Sequence, residues 1–506
     1  MQNTDTADKR LPRAVAGQSG VDPRGMSAFL DYVRENNIHM NSIMVVRHGA
    51  VAYEGYWAPY RADLPHALHS VTKGLVSTAF GLLIAEGRVT LDSKVISFFP
   101  DYEIKTAGNW DTLAIRHLLS MTCGHDRAYP FLDREDYQTA FFDHPLTYEP
   151  GTFFCYTNLC FYTLCNILKR ITGKNLQEYL QETLFDKMGV HSFTCGTSPT
   201  GISHGASLGF LTTEDMAKVG LLYLNQGKWG NEQLLPAEWV AQASAIQIAD
   251  TYDCDYPDSP DGTRGYGFAL WRCTQNRAYR FWGIFGQHIL VLPEQDAVIV
   301  TTGAHAETNG ILGGIWKYLL PAMTDDVQDA EQTAAVHRRL NSLEVPRNQG
   351  NATSPFAEIY SGTWLHFPEN KWAFLPSWLM ANRAWPKAAE AYDGIHSCKL
   401  DFEGTALRIT LREGTLENCW TLNMGGEVGE LTYQTHVGDY AVAARAVWLQ
   451  PDRLELDMVY LNFAQHMRIE FAFSETGAQV LFHELPFGAP YRTKETRTLE
   501  VTMEAQ

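Results

Sequence analysis

From Leu68 to Ala85 the chain offers no polar face: Leu68, Val71, Leu75, Val76, Ala79, Phe80, Leu82, Leu83 and Ile84 wrap all sides of one helical repeat. A helix apolar all round is stable in water only when other elements cover it on every side, so the rest of the fold must be built around it. Within this stretch stands Lys73, three residues after Ser70. Side chains three apart on a helix share a face, which brings the lysine amine to the serine hydroxyl. A serine hydroxyl is a weak nucleophile until a neighbour takes its proton, and a buried lysine beside it is one such neighbour. Ser70 at the helix start also lies beside backbone N–H groups that have no partner within the helix. Ser-x-x-Lys arises often by chance, and a serine here serves equally as an N-cap. The catalytic reading therefore depends on what else the chain carries.

Two further segments bear on it. Tyr156-Thr157-Asn158 follows the turn signal Pro150-Gly151 and precedes a helical run from Cys160 to Leu168. A phenol beside a cation relays protons, and an amide orients a lysine or a substrate carbonyl; taken alone, the segment reads equally well as a capped turn with a structural tyrosine. Phe281-Trp282-Gly283-Ile284-Phe285-Gly286-Gln287-His288 leads into Ile289–Leu292 and, past Pro293-Glu294-Gln295-Asp296, into Ala297–Val300. That pattern predicts an antiparallel hairpin whose glycines let backbone approach a ligand closely.

In this order the three segments resemble the serine beta-lactamase-like superfamily, and within it the branch of class C beta-lactamases, D-alanyl-D-alanine carboxypeptidases and family VIII-type esterases. Leu113–Gly124 and Gly205–Asp215 resemble the same family, and the likeness spans residues 25–325. It implies Ser70 as nucleophile and Lys73 as base. Tyr156 becomes the proton relay and Asn158 the orienting amide. The oxyanion hole falls on the backbone N–H groups of Ser70 and Ile284, and substrate contacts on Phe281, Trp282, Gly283, Gln287 and His288. The family's third motif is Lys-Thr-Gly or His-x-Gly; here Phe281 and Trp282 replace its polar positions. An arginine or lysine holds a substrate carboxylate, and two aromatic rings do not. Arg280 or His288 takes over that task only if turned inward. The expected reaction is cleavage of a small ester or amide through a Ser70 acyl-enzyme. The alternatives are a beta-lactamase or D-aminoacyl peptidase, and a non-catalytic sensor or interaction module on the same fold.

With 506 residues the chain has room for two or three domains. A net charge of −18 argues against nucleic acid as a partner. No signal peptide or membrane-spanning run is legible, which points to a cytoplasmic protein, and a homo-oligomer is left open. Nine cysteines, an odd number, suggest free thiols in a reducing compartment. No metal-ligand spacing stands out, so neither metal nor cofactor is expected. Asp253, Asp255, Asp258 and Asp261 form an acidic loop without the spacing of a calcium loop.

The expected organisation is a flexible segment over 1–24, a hydrolase domain over 25–323, a linker over 324–355 and a β-rich, lipocalin-like domain over 356–506. The hydrolase domain reads as α+β, an α/β sandwich with an antiparallel sheet. Alternation in Ala406–Leu411, Ala441–Trp448 and Met467–Phe473 predicts a mainly β barrel or sandwich at the C-terminal end.

Overall fold

The computed structural model describes residues 10–15, 17–252, 259–305, 308–376, 379, 392–436, 438–474, 477–485 and 497–503. Asp253, Cys254, Asp255, Asp258, Trp378 and the turn positions Glu475-Thr476 lie outside them. The chain divides into two compact units, one built from residues up to Trp57 with Arg61–Leu343, the other from Ala58–Tyr60 with the residues from Glu344 onward.

The first unit is built on a six-stranded antiparallel sheet in the order Ala50–Tyr56, Met40–Arg47, Ala297–Gly303, Gln287–Leu292, Tyr279–Gly283, Trp271–Arg272. His48 and Gly49 both have positive φ (50° and 75°), as a tight two-residue hairpin turn requires, and they join the first two strands in sequence. Met40–Arg47, Gln287–Leu292 and Ala297–Gly303 are buried along their whole length, because helices cover both faces of the sheet. On one face lies the apolar helix Val71–Ala85, in which every residue from Val71 to Leu83 is buried. It approaches so closely that a Cβ on Gly74 would sit 2.0 Å from the Phe281 ring. Tyr223, from helix Thr213–Leu224, meets the same ring edge-on at 5.0 Å. On the opposite face His337 packs on Tyr53 at 5.2 Å, and Arg339 binds Asp31 and Ser27 of helix Pro23–Glu35.

Two boundaries differ from the sequence reading. Leu11–Val21 is anchored rather than flexible: Arg13 pairs with Glu54 and Glu214, the Leu11 N–H donates to Glu214, and Val21 bridges Met323. The expected linker 324–355, where the sequence allows a short helix near His337-Arg338-Arg339-Leu340, contains the longer helix Ala330–Leu340, whose Thr333, Val336 and Leu340 are buried. The helix belongs to the first unit, and the division falls after Leu343.

The second unit is a near-closed barrel, which decides between the barrel and sandwich readings. Its ten strands run antiparallel in the order Leu416–Asn423, Ala406–Glu413, Ile395–Glu403, Thr363–His366, Arg497–Met503, Gly477–Leu485, His466–Phe473, Arg453–Tyr460, Gly438–Gln450, Gly429–Thr435. Side chains draw the two end strands together. The Trp420 indole N–H donates to the Thr432 carbonyl at 3.0 Å, and the Asn418 amide exchanges two bonds with the Gln434 backbone at 2.9 and 3.0 Å. Inward positions are apolar, as in Leu407, Ile409, Leu411, Leu456 and Ile469.

Glu413 breaks that rule. It is 1% exposed and accepts from the Tyr433 hydroxyl at 2.6 Å and from Tyr392 at 3.4 Å. Burial pushes its carboxyl up to about 7, with the tyrosine hydrogen bonds opposing. An unfolded glutamate titrates near 4.5, so between that pH and about 7 the folded chain keeps a proton that the unfolded chain has lost. Stability contributed by this group is therefore present at low pH and falls as pH rises toward 7, by at most about 1.4 kcal/mol per pH unit. Urea midpoints of the intact protein measured at pH 5 and pH 8 should show a drop that Glu413→Gln reduces.

Candidate active site

Ser70 stands at the sharp entry to helix Val71–Ala85. The residue before it, His69, has φ 47°, a left-handed conformation rare outside glycine, and turns the chain into the helix. The turn is pinned from one side: the Leu68 N–H donates to the Gly209 carbonyl at 2.8 Å, and the Gly209 N–H donates to the Thr72 hydroxyl at 3.1 Å. Ser70 is half-buried and its hydroxyl caps nothing, so the N-cap explanation of this serine fails.

The hydroxyl is instead engaged by Lys73. This lysine is 1% exposed; its ammonium donates to Ser70 Oγ at 2.8 Å and to the Ala206 carbonyl at 2.7 Å. It also lies 4.9 Å from the centre of the Tyr156 ring, a cation–π distance. The Ala206 carbonyl was not foreseen from the sequence, although Gly205 carries a signal for it. Gly205 has φ +66°, and a Cβ there would fall 2.4 Å from Cys165 Sγ and 2.7 Å from the Phe161 carbonyl. Only glycine lets this segment press against helix Asn158–Thr172 and so aim the next carbonyl at Lys73.

Two buried histidines feel that ammonium. Burial, then His66 and Lys73, hold His69 down to about 3; burial and Lys73 hold His204 down to about 3. Both are neutral at pH 7 and neither competes with Lys73 as the local cation. Tyr156 is half-buried, with Trp271, Tyr266 and Phe154 around its ring. Asn158 opens its helix and makes no hydrogen bond among the described residues, while Thr157 caps the helix by accepting from the Leu159 N–H. Lys73 is therefore held by a backbone carbonyl where an amide from Asn158 was expected.

Gly283 ends the strand beside Ser70. A Cβ on it would lie 2.4 Å from the Leu68 carbonyl and 3.2 Å from the His69 Cβ, so the strand end abuts the Ser70 turn. The following turn contacts the same place, Phe285 meeting His69 edge-on at 5.3 Å. Ile284 is half-buried there. Its backbone N–H has no acceptor among the described residues, and neither does that of Ser70. Gln287 braces the turn: its amide donates to the Ile284 and Gly303 carbonyls at 3.0 and 2.9 Å and accepts from the Gly303 N–H.

The remaining residues read as substrate contacts are placed behind the site. Phe281, Trp282, Gln287 and His288 are at most 3% exposed. The reason is position: Tyr279–Gly283 is the second strand from the edge, shielded by Trp271–Arg272, and helices cover both faces. Phe281 packs on Gly74, and Trp282 on Trp271 at 5.6 Å. Burial drives His288 well below the usual histidine range, with Arg280 adding to it. Arg280 is 1% exposed and donates to the Asp261 and Arg272 carbonyls, so neither residue is turned outward to replace the missing cation. Asp261, the described member of the acidic loop, is buried and accepts from the Thr274 N–H and the Trp316 indole. Among the described residues no three or more His, Cys, Asp and Glu are grouped to hold a metal ion, and no helix is long and apolar enough to cross a membrane.

The family model described as Beta-lactamase matches residues 27–311. The 6-aminohexanoate-dimer hydrolase of Paenarthrobacter ureafaciens is 27% identical over 286 residues, 51% of this chain and 71% of that protein. Esterase EstB of Burkholderia gladioli is 26% identical over 209 residues, 35% of this chain and 53% of that protein. A solved structure from Bacteroides dorei DSM 17855, provisionally described as a beta-lactamase, superposes with a TM-score of 0.50 at 16% identity, covering 59% of this chain and 99% of its own. The matched family model covers more than half of the chain and contains Ser70, Lys73, Tyr156 and Gly283, and on that ground the chain belongs to the beta-lactamase family of serine hydrolases.

Proposed function

We propose that this protein cleaves a small ester or amide through an acyl-enzyme on Ser70. The observation that carries the reading is the 2.8 Å bond between the buried Lys73 amine and Ser70 Oγ, made by a serine with no capping task. In its neutral form Lys73 takes the Ser70 proton as Oγ attacks the substrate carbonyl. The new C–O bond puts negative charge on the carbonyl oxygen, which the Ser70 and Ile284 N–H groups receive. Tyr156, against Lys73, passes the proton to the departing alcohol or amine as the bond to it breaks. Water then attacks the Ser70 ester, gives its proton back along the same route, and releases the acid. In this reading the Asn158 amide, at the start of its helix, receives a polar group of the substrate.

The substrate class follows from what the third motif lacks. Phe281 and Trp282 carry no charge, and Arg280 is already bonded to backbone carbonyls, so a substrate carboxylate gains no partner from this strand. That weighs against penicillins and D-aminoacyl peptides and in favour of uncharged esters and amides. The names of the two curated relatives, an amide-dimer hydrolase and an esterase, favour amide and ester bonds, although an aminohexanoate dimer itself carries a carboxylate.

Wild type and Ser70→Ala would be compared on p-nitrophenyl acetate, small anilides, D-aminoacyl anilides and nitrocefin, with intact mass read alongside. Ester or anilide turnover should fall at least about 1000-fold in the variant, with the acyl mass adduct lost. Full activity of Ser70→Ala would sink the mechanism; fast Ser70-dependent nitrocefin turnover would move the substrate class to lactams. Gly283→Ala tests the oxyanion assignment, because its Cβ must push the strand away from Leu68. Its kcat should drop by roughly 100-fold with KM little changed, the signature of a donor that acts on the developing charge.

A further inference from the structure

We propose that Trp271 is a positioning residue for this reaction: its indole ring holds the Tyr156 phenol against Lys73 and ties that phenol to the strand that leads to Ile284. The inference rests on the reading of Tyr156 as proton relay.

Tyr156 is half-buried and so leaves part of its ring open, the condition under which an aromatic side chain needs a wall to fix it. Lys73 stands at one side, 4.9 Å from the ring centre. Three rings complete the surround: Trp271 at 5.7 Å and tilted 37°, Tyr266 edge-on at 6.3 Å, and Phe154 at 6.5 Å. The three walls brace one another edge-on: Trp271 meets Tyr266 at 5.0 Å and Phe154 at 5.9 Å, and Phe154 meets Tyr266 at 5.4 Å. Trp271 also meets Trp282 at 5.6 Å and 87°, inside the third motif.

Its place in the sheet supports the same role. Trp271 belongs to the two-residue edge strand Trp271–Arg272 and stands opposite Arg280, whose guanidinium lies 6.0 Å from the indole. It is 2% exposed and among the largest fully enclosed side chains of the protein. The strand it pairs with runs on through Gly283 to Ile284, so one buried ring touches both the proton-relay side and the oxyanion side of the site. Edge-on and tilted aromatic contacts have defined geometry, unlike aliphatic packing, and so they fix orientation as well as distance. Orientation matters here because a misplacement of about 1 Å at a reacting group costs about a hundredfold in rate.

The role separates from ordinary core packing by its dependence on Tyr156. Trp271→Ala, Trp271→Phe, Tyr156→Phe and the double variant Trp271→Ala/Tyr156→Phe would be assayed on p-nitrophenyl acetate, with near-ultraviolet circular dichroism and thermal unfolding to establish folding. Trp271→Ala should lower kcat about a hundredfold with KM within about threefold, and Trp271→Phe should recover most of the loss. Once Tyr156→Phe has removed the relay, the further change at Trp271 should cost less than about threefold, because residues acting through one group are not additive. Multiplying losses in the double variant, or an unchanged kcat in folded Trp271→Ala, would overturn the inference and leave the Ser70 mechanism standing. Wild-type rates in Tyr156→Phe would overturn the relay and the inference together. Should Trp271→Ala not fold, Trp271→Leu and Trp271→Phe carry the same comparison.

Discussion

The Lys73 ammonium is the group on which the rest of the first unit depends. Leaving a charge of this size unpaired in an apolar interior would cost several kcal/mol, a large part of the total stability of a domain. The fold meets that cost with three partners drawn from three separate parts of the chain: the Ser70 hydroxyl, the Ala206 carbonyl and the face of Tyr156. Each partner has its own support. His69 in a left-handed conformation turns Ser70 inward, Gly205 lets the Ala206 segment reach its place, and the ring cluster of Phe154, Tyr266 and Trp271 backs Tyr156. A polar group that would be costly if buried without partners thereby fixes the relative positions of segments more than 130 residues apart in sequence.

The same electrostatics explains what became of the neighbouring polar groups. Burial beside the Lys73 amine disfavours a second cation nearby. His69 and His204 are held neutral by burial and by Lys73, and His288 by burial and Arg280. The Arg280 guanidinium donates to the backbone carbonyls of Asp261 and Arg272 and to the sulfur of Cys273. Two of the groups that appeared in the sequence as candidate replacements for the missing anchor are thus part of the sheet's interior. Their sequence positions carry no information on whether their side chains meet solvent or the sheet's interior.

What the sequence made legible follows from the range of the interactions involved. The Ser70–Lys73 pair was readable because both residues lie within one helical turn, where spacing determines contact. The hairpin turn at Pro293-Glu294-Gln295-Asp296 was readable because turn chemistry is local. The Ala206 carbonyl was not, since a backbone acceptor has no residue type to mark it; only the positive φ and crowding of Gly205 betray it. Gln287 was taken for a substrate contact because it follows a glycine-rich turn. Its real partners, the carbonyls of Ile284 and Gly303, are set by the pairing of strands that are not adjacent in sequence order. Likewise the sequence allows a helix near His337–Leu340, but with only three buried positions over Ala330–Leu340 it does not show that the helix belongs to the first unit.

The aromatic third motif changes how this site can discriminate between substrates. A site that holds a carboxylate by a charge-assisted bond rejects analogues lacking it by several orders of magnitude, because its own cation is then left unpaired. A site walled by apolar side chains has no such penalty to impose; each methylene gained or lost changes the rate by only about ten- to two-hundredfold. Here Phe281 and Trp282 bury their rings in the structure, and Arg280 already has its partners. On the proposed reading, selection among esters and amides rests on shape and on polar groups such as Asn158 rather than on a cation from this strand. The machinery that makes and breaks the acyl bond is untouched by that change, since Ser70, Lys73 and the Ile284 turn are fixed by contacts in which the third motif takes part through Gly283 and its backbone.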